Sequence, residues 1–170
     1  MLHGARMAVI DIAELRATAP ARTPIVGLDL GEKTIGVAVS DIGWMIASSL
    51  ALIRKTKFTQ DAEALFALMA GRSAAAIIIG LPVNMDGSEG PRAQSARAFA
   101  RNLLRLRDVP IAFWDERLSS VAANRMLIGE ADLTRARRAE LVDKTAAAWI
   151  LQGALDRLAA SPLPPPREPA

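Results

Sequence analysis

The sequence predicts an α/β fold built on a five-stranded mixed sheet, three antiparallel strands followed by parallel ones, with helices on both faces. Three observations carry that expectation. Short β-branched or apolar runs crowd together between residues 25 and 53, close enough only for hairpins. From residue 59 onward, stretches with helical spacing alternate with apolar runs. One of those runs, Ala76-Ile77-Ile78-Ile79-Gly80, is apolar throughout, as a strand covered on both sides must be.

Taken in order, residues 1–23 mix Ala, Arg, Thr and Pro around a short helix-like stretch, Met7 to Ala17, and read as an appended arm. Ile25 to Leu30 and Ile35 to Ser40 are strands joined by Gly31-Glu32-Lys33-Thr34, a hairpin whose turn Gly31 is expected to supply. Ile46 to Ile53 completes a meander. Thr59 to Gly71 places Ala62, Leu65, Phe66 and Met69 on one helical face, with Gly71 as the stop signal. After the strand at 76–80, Leu81 to Pro91 is a Gly/Pro/Asn/Asp loop. Pro91 to Arg107 is a helix, Ile111 to Trp114 a strand, Ser119 to Leu127 a helix and Arg138 to Leu158 a long final helix. Residues 24–160 thus form one domain. The last ten residues, 161–170, hold five prolines and no periodicity, and read as a disordered Pro-rich tail.

Composition narrows the chemistry. At 170 residues, 51% hydrophobic and 23% charged, the chain is one globular domain. It has no cysteine and a single histidine, His3, so a thiolate metal site, a cysteine nucleophile and a serine/histidine triad are all disfavoured. Acid/base or metal chemistry must rest on carboxylates. No apolar run approaches the roughly 20 residues needed to cross a bilayer, and Asp11 and Glu14 interrupt the region where a signal peptide would be apolar, so a cytoplasmic protein without membrane partners is expected.

Three acidic positions do not suit a core. Asp29 alternates with Leu28 and Leu30 on the first strand and is flanked at i−2 and i+2 by Gly27 and Gly31, which leave open space above it. Wound at about 100° per residue, the final helix sets Asp143 within roughly 80° of Ala146, Ala147, Ile150, Leu151, Ala154 and Leu158, in the middle of an apolar stripe. A charge there must be neutralised by a proton, a basic partner or a metal. Asp115-Glu116 follows a strand, so alternation turns one of the two acids to each side. Carboxylates on two strand ends and a helix, without His or Cys, suit hard divalent cations, Mg²⁺ or Mn²⁺, two of which can serve phosphodiester hydrolysis.

Four motifs in order then become recognisable: Gly27-Leu28-Asp29-Leu30-Gly31-Glu32-Lys33-Thr34-Ile35-Gly36-Val37-Ala38, Gly80-Leu81-Pro82-Val83-Asn84-Met85-Asp86-Gly87, Asp115-Glu116-Arg117-Leu118-Ser119-Ser120, and Val142-Asp143-Lys144-Thr145-Ala146-Ala147 with Ile150-Leu151-Gln152. Together, over residues 24 to 158, they closely resemble the YqgF/RuvX family. The resemblance implies the RNase H-like fold of RuvC-type resolvases. It implies too a nuclease, described both as a Holliday junction resolvase and as the enzyme that helps mature the 5′ end of the small-subunit ribosomal RNA precursor. Carried over, it makes Asp29 and Asp143 metal ligands and catalytic residues. The third acid comes from Asp115-Glu116, with Glu116 favoured and nothing in the sequence to separate the two. It also puts the Gly80–Gly87 loop, with Asn84, against the nucleic acid. Many members have Arg after Lys33, where this chain has Thr34, which bears on a phosphate contact and not on the metal site.

Basic residues mark where a polyanion could lie. Arg97, Arg101 and Arg105 span only about 80° of their helix, opposite Ala96, Phe99, Leu103 and Leu106, and no acid falls between Pro91 and Arg107. Arg135, Arg137 and Arg138 precede the Asp143 helix, while Lys33 and Arg117 adjoin the acids. Contacts of these residues with phosphates should weaken steeply with salt. Structured RNA is the favoured partner on the resemblance alone, with branched DNA the alternative. Symmetric junction cleavage would need a homodimer, whereas trimming RNA needs only a monomer. Two further readings compete. The Asp-Leu-Gly motif also resembles the phosphate loop of actin-like ATPases and sugar kinases, but those use two such domains. A binding module without catalysis would not need intact acids at all three positions.

Overall fold

The computed structural model describes residues 8–118 and 135–160, with side chains of the second stretch from Ala146 onward. The expected helix at Ser119 to Leu127 and the Pro-rich tail lie outside the described residues. Six strands form one sheet in the order β1-β6-β5-β2-β3-β4, where β1 is Val9–Ile10, β2 Ile25–Leu30, β3 Thr34–Ser40, β4 Ala47–Arg54, β5 Ala76–Leu81 and β6 Ile111–Asp115. Strands β2, β3 and β4 are antiparallel neighbours, and β2, β5, β6 and β1 run parallel. The mixed sheet follows the sequence expectation except in strand count.

The sixth strand comes from the N-terminal segment. Val9 and Ile10 pair with Ile111 and Ala112 at the open edge of β6. A short turn and helix α1, Leu15–Thr18, then bury Leu15 completely. A two-residue strand carries no periodicity, so its apolar side chains were legible but its pairing was not. The expected helix over Met7 to Ala17 is accordingly broken into strand, turn and a single helical turn.

Helices α2, Phe58–Arg72, and α3, Pro91–Leu106, cover one face of the sheet. Leu28, Ile35, Val37, Ile77, Ile79 and Ile111 meet Ala62, Leu65, Phe66, Met69, Ala96 and Leu103 there. Helix α4, Arg135–Ala160, covers the other face, packing Ala147, Ile150, Leu151, Ala154 and Leu158 on Ile25, Ala38, Ile78 and Trp114. Every described member of the expected stripe on α4 is buried. Among the described residues, no helix is long and apolar enough to cross a membrane.

Three local expectations are corrected. Helix α2 ends one residue beyond Gly71, and Ser73, with φ of 54°, takes the left-handed position while its N–H caps the carbonyls of Met69 and Ala70. Gly31 does not have a left-handed φ. A Cβ there would stand 3.0 Å from the Thr34 carbonyl oxygen, which accepts from the Gly31 N–H, so the residue is small for clearance across the turn. On α3, Leu106 is exposed, and Ala93 and Ala100 complete the buried face with Ala96 and Leu103.

Candidate active site

The register of the parallel strands brings two of the expected acids to one face. Leu28 on β2 is level with Ile79 on β5, and both point into the α2/α3 core. Alternation therefore turns Gly27, Asp29, Ile78 and Gly80 toward α4. Next along, Gly80 is level with Trp114 on β6, whose ring packs under α4. Two residues later the chain leaves β6 into a 3-10 turn, Glu116–Leu118, and Glu116 comes back over β5. A Cβ built on Gly80 would lie 2.8 Å from Glu116 Oε1 and 2.6 Å from Ile150 Cδ1. Asp29 and Glu116 thus occupy the α4 face at the C-terminal ends of β2 and β6, parallel strands with β5 between them, the end where ligands of open α/β sheets gather.

Asp115 faces the other way. It is level with Leu81, a member of the α2/α3 core, and its carboxylate is taken up by Arg117. Arg117 Nη2 lies 2.7 Å from Oδ2, Nε is 3.1 Å from both oxygens, and the Arg117 N–H donates to Oδ1 at 2.9 Å. The guanidinium holds the Asp115 carboxyl below the usual carboxylate range, and the carboxylate raises Arg117 in return. A group lowered on folding stabilises the fold above its unfolded value, about 3.9, and that contribution is lost as pH falls through the lowered value. Melting curves of the wild type and Asp115→Asn should therefore differ more at pH 7 than at about pH 3.

Helix α4 places Asp143 one turn before Ala147, on the stripe that covers β2; its side chain lies outside the described residues. A Cβ on Gly27 would stand 2.6 Å from Leu151 Cβ and 3.2 Å from the Ala147 carbonyl oxygen. The absence of a side chain at Gly27 is what lets α4 lie directly on β2, two residues before Asp29. Among the described residues no three acidic, His or Cys side chains form a ready metal cluster. The donors present, carboxylate oxygens from Asp29 and Glu116 beside a side-chain-free Gly80, do fit a hard divalent cation.

The basic positions are used unevenly. Lys33 is exposed on the turn that follows Asp29. Arg97, expected on an unpaired ridge, is bound through Nε and Nη2 to both carboxylate oxygens of Glu89 and stacks 5.0 Å from the centre of the Phe113 ring. The acid comes from the preceding loop, two residues upstream of the stretch that seemed free of acids, and reaches α3 only through the fold. Arg101 and Arg105 are exposed on α3. Asn84 serves its own loop: its amide nitrogen donates to Ser88 Oγ at 3.0 Å, and its carbonyl receives Gly87 N–H at 2.9 Å and Arg117 Nη1 at 3.4 Å. Gly87, with φ of 88°, closes that turn. Arg117 therefore joins the loop to Asp115 and to the turn carrying Glu116.

Gly80 and Gln152 fall within the quoted motifs, but sequence reasoning gave no individual role to either, or to Glu89. Gln152 bridges β4 and its hairpin loop to α4, accepting from Ala47 N–H at 2.9 Å and donating to the Met45 carbonyl at 3.0 Å. A glycine closing an apolar strand run was the one available signal for Gly80. Gly80→Ala should leave the fold nearly intact, because the atoms in its way are ends of flexible side chains. The Glu116 carboxylate must move, however, and a displacement of about 1 Å at a reacting centre costs about a hundredfold in rate. Turnover and melting temperature measured side by side check this: a variant that melts early and stays active would contradict it.

Known proteins resemble this chain in sequence and in fold. A family model described as "RuvX: Holliday junction resolvase" matches residues 23–157. A protein of Phenylobacterium zucineum (strain HLK1), named "Putative pre-16S rRNA nuclease", is 74% identical over 153 residues, covering 89% of this chain and 98% of its own. Proteins given the same name in Caulobacter sp. (strain K31) and Rhodospirillum rubrum are 65% and 58% identical, covering 89% of this chain and 93% and 94% of their own. Among solved structures, T. thermophilus RuvC in complex with a Holliday junction substrate superposes with a TM-score of 0.50 at 13% identity, over 82% of this chain and 98% of that one. That likeness is one of fold, and it makes the architecture RNase H-like. With a family model spanning most of its length and relatives this similar, the chain belongs to the RuvX family.

Proposed function

We propose that the protein is a metal-dependent nuclease that hydrolyses phosphodiester bonds in the 5′-end maturation of the 16S ribosomal RNA precursor. The observation that carries this reading is the convergence of Asp29 and Glu116 on one face, over a strand position, Gly80, where a side chain would collide with the Glu116 carboxylate. Asp29, Glu116 and Asp143 are the residues proposed to hold two Mg²⁺ or Mn²⁺ ions. When bound, such ions polarise a phosphoryl oxygen and activate water. The chain's own contribution is positional. The end of β2 fixes Asp29, the turn that follows β6 carries Glu116 and is braced by the Asp115–Arg117 pair, and Lys33, on the turn after Asp29, offers an ammonium to a substrate phosphate. Arg101 and Arg105 add phosphate contacts from α3, and Arg97 and Asn84 act by shaping the loop between β5 and α3. The names of the relatives support the RNA substrate, which would place the protein in the cytoplasm.

The family description favours a second reading, cleavage of four-way DNA junctions. Symmetric resolution would require a homodimer with two sites, while RNA trimming works in a monomer. Offering the purified protein a precursor RNA fragment and a four-way DNA junction side by side, with Mn²⁺ or Mg²⁺, separates the two. Preferential cut of the RNA is expected; cleavage of the junction alone would transfer the assignment to DNA, and no cleavage of either would leave a binding module.

A further inference from the structure

A cleft of about 850 Å³ opens on the α2/α3 side of the sheet, across the β2–β3 turn from Asp29. Its walls are the turn itself, the end of β4, the start of α2 and one side of α3. The cations on it come from strand register and turn closure. Arg54 is level with Thr34 across β3 and β4. Lys55 follows, its N–H bonded to the Lys33 carbonyl at 2.9 Å and its Nζ to the Gly31 carbonyl at 2.9 Å, which clamps the turn. Lys33 completes the set, and the groove continues past Lys55 and Ser95 to Arg92 at the start of α3. On the helix, Ser95, Ala98 and Asn102 line the cleft, and Arg105 follows them on the same side.

Two acids share the lining. Asp61 is buried, and its Oδ1 accepts from the Thr56 N–H and hydroxyl; Glu32 is exposed on the turn. The balance is positive. Two half-buried rings, Phe58 and Phe99, meet edge to face in the lining, with centroids 5.5 Å apart. Cations along a groove with an aromatic surface between them are the elements by which proteins hold unpaired nucleotides, phosphates on the charges and bases on the rings. The volume is that of a pocket for a small organic ligand, suited to a nucleotide or two and not to a duplex, whose bases are stacked away from any ring.

We propose that this cleft is a subsite for single-stranded nucleic acid beside the scissile bond, with phosphates on Lys33, Arg54, Lys55 and Arg92 and a base against Phe99 and Phe58. The proposal rests on the nuclease reading for the strand's path, since the β2–β3 turn that follows Asp29 forms one wall of the cleft. It specifies that the substrate is unpaired on one side of the cut.

Binding separates from cleavage in an Asp29→Asn background without divalent metal, with a short single-stranded RNA and a blunt duplex of the same sequence followed by fluorescence anisotropy. Adding Arg54→Ala and Arg92→Ala should weaken the single strand about tenfold and reduce its salt slope by about 1.4, two contacts at about 0.7 each. The duplex should change by about twofold or less. Ser95→Glu, at an exposed helix position, should reproduce the loss by setting a carboxylate among the cations of the cleft. Phe99→Leu should weaken the single strand about tenfold with an unchanged slope. Unaltered affinity and slope in the arginine and Ser95 variants, or an equal loss on the duplex, overturns the proposal; unaltered affinity in Phe99→Leu overturns the base contact. Cleavage by the protein with Asp29 intact is scored separately. If it cuts nothing while the binding results hold, the nuclease reading falls and the cleft stands as a nucleic-acid site.

Discussion

Asp29→Asn should lower cleavage by about a thousandfold, with Mn²⁺ or Mg²⁺ saturating, because a metal-held phosphoryl group is worth several kcal/mol of transition-state charge stabilisation. Asn keeps the size of the side chain and its place on β2, so the fold and the affinity for nucleic acid should persist. Asp143→Asn should fall as far. The double variant should lose little more than either single one, since groups that act as a unit are not additive. Glu116→Gln belongs to the same group, whereas Asp115→Asn should retain most activity. That contrast rests on which side of β6 each acid faces: Glu116 lies over Gly80 toward α4, and Asp115 is held by Arg117. Single-turnover rates for the four single variants and the double variant check the whole set. If Asp29→Asn and Asp143→Asn cut as well as the wild type, the carboxylate-metal mechanism is wrong.

Gly27→Ala should be the most damaging substitution outside the acids, and for a different reason from Gly80→Ala. At Gly80 the obstructing atoms are the tips of Glu116 and Ile150; at Gly27 they are Leu151 Cβ and Cα and the Ala147 carbonyl, parts of the helix that no rotamer change can move. Helix α4 must shift off β2 as a body. Overpacking of this kind costs about 1–3 kcal/mol, which in a chain of this size lowers the melting temperature by roughly 2–12 °C. Because α4 carries Asp143 and β2 carries Asp29, activity should fall as well, even at temperatures where the variant remains folded. Calorimetry together with cleavage assays distinguishes the pair: Gly27→Ala loses both stability and rate, Gly80→Ala mainly rate. A Gly27→Ala protein with wild-type melting would mean that α4 does not press on β2 as closely as its packing indicates.

Much of this arrangement is legible in the sequence, because hydrophobic periodicity reports directly on burial. The meander from Ile25 to Ile53, the apolar run of β5 and the stripe of α4 all follow from local pattern; the structure buries the pattern's residues in β5 and α4 and most of them in β2 and β3, whereas in the expected third strand Ile53 is buried and Ile46 and Leu52 are exposed. Features that depend on a partner distant in the chain do not follow. The strand at Val9–Ile10 is too short to show a period and exists because the edge of β6 accepts it. Arg97 looked like one of three equivalent arginines until the loop brought Glu89 against it. Gly71 looked like a helix stop, yet Ser73 took the left-handed position where the chain turns toward β5.

The sequence by itself narrowed the class of chemistry: without cysteine and with one histidine, carboxylates are the expected catalytic groups, and four ordered motifs pointed to the family. Only the tertiary structure decided between Asp115 and Glu116 as the acid that faces Asp29's side of the sheet, since adjacent residues on a strand end are equivalent until a helix covers one face. The parallel register of β2, β5 and β6 turned Glu116 toward α4 and the Gly80 gap, and left Asp115 to Arg117 on the opposite side.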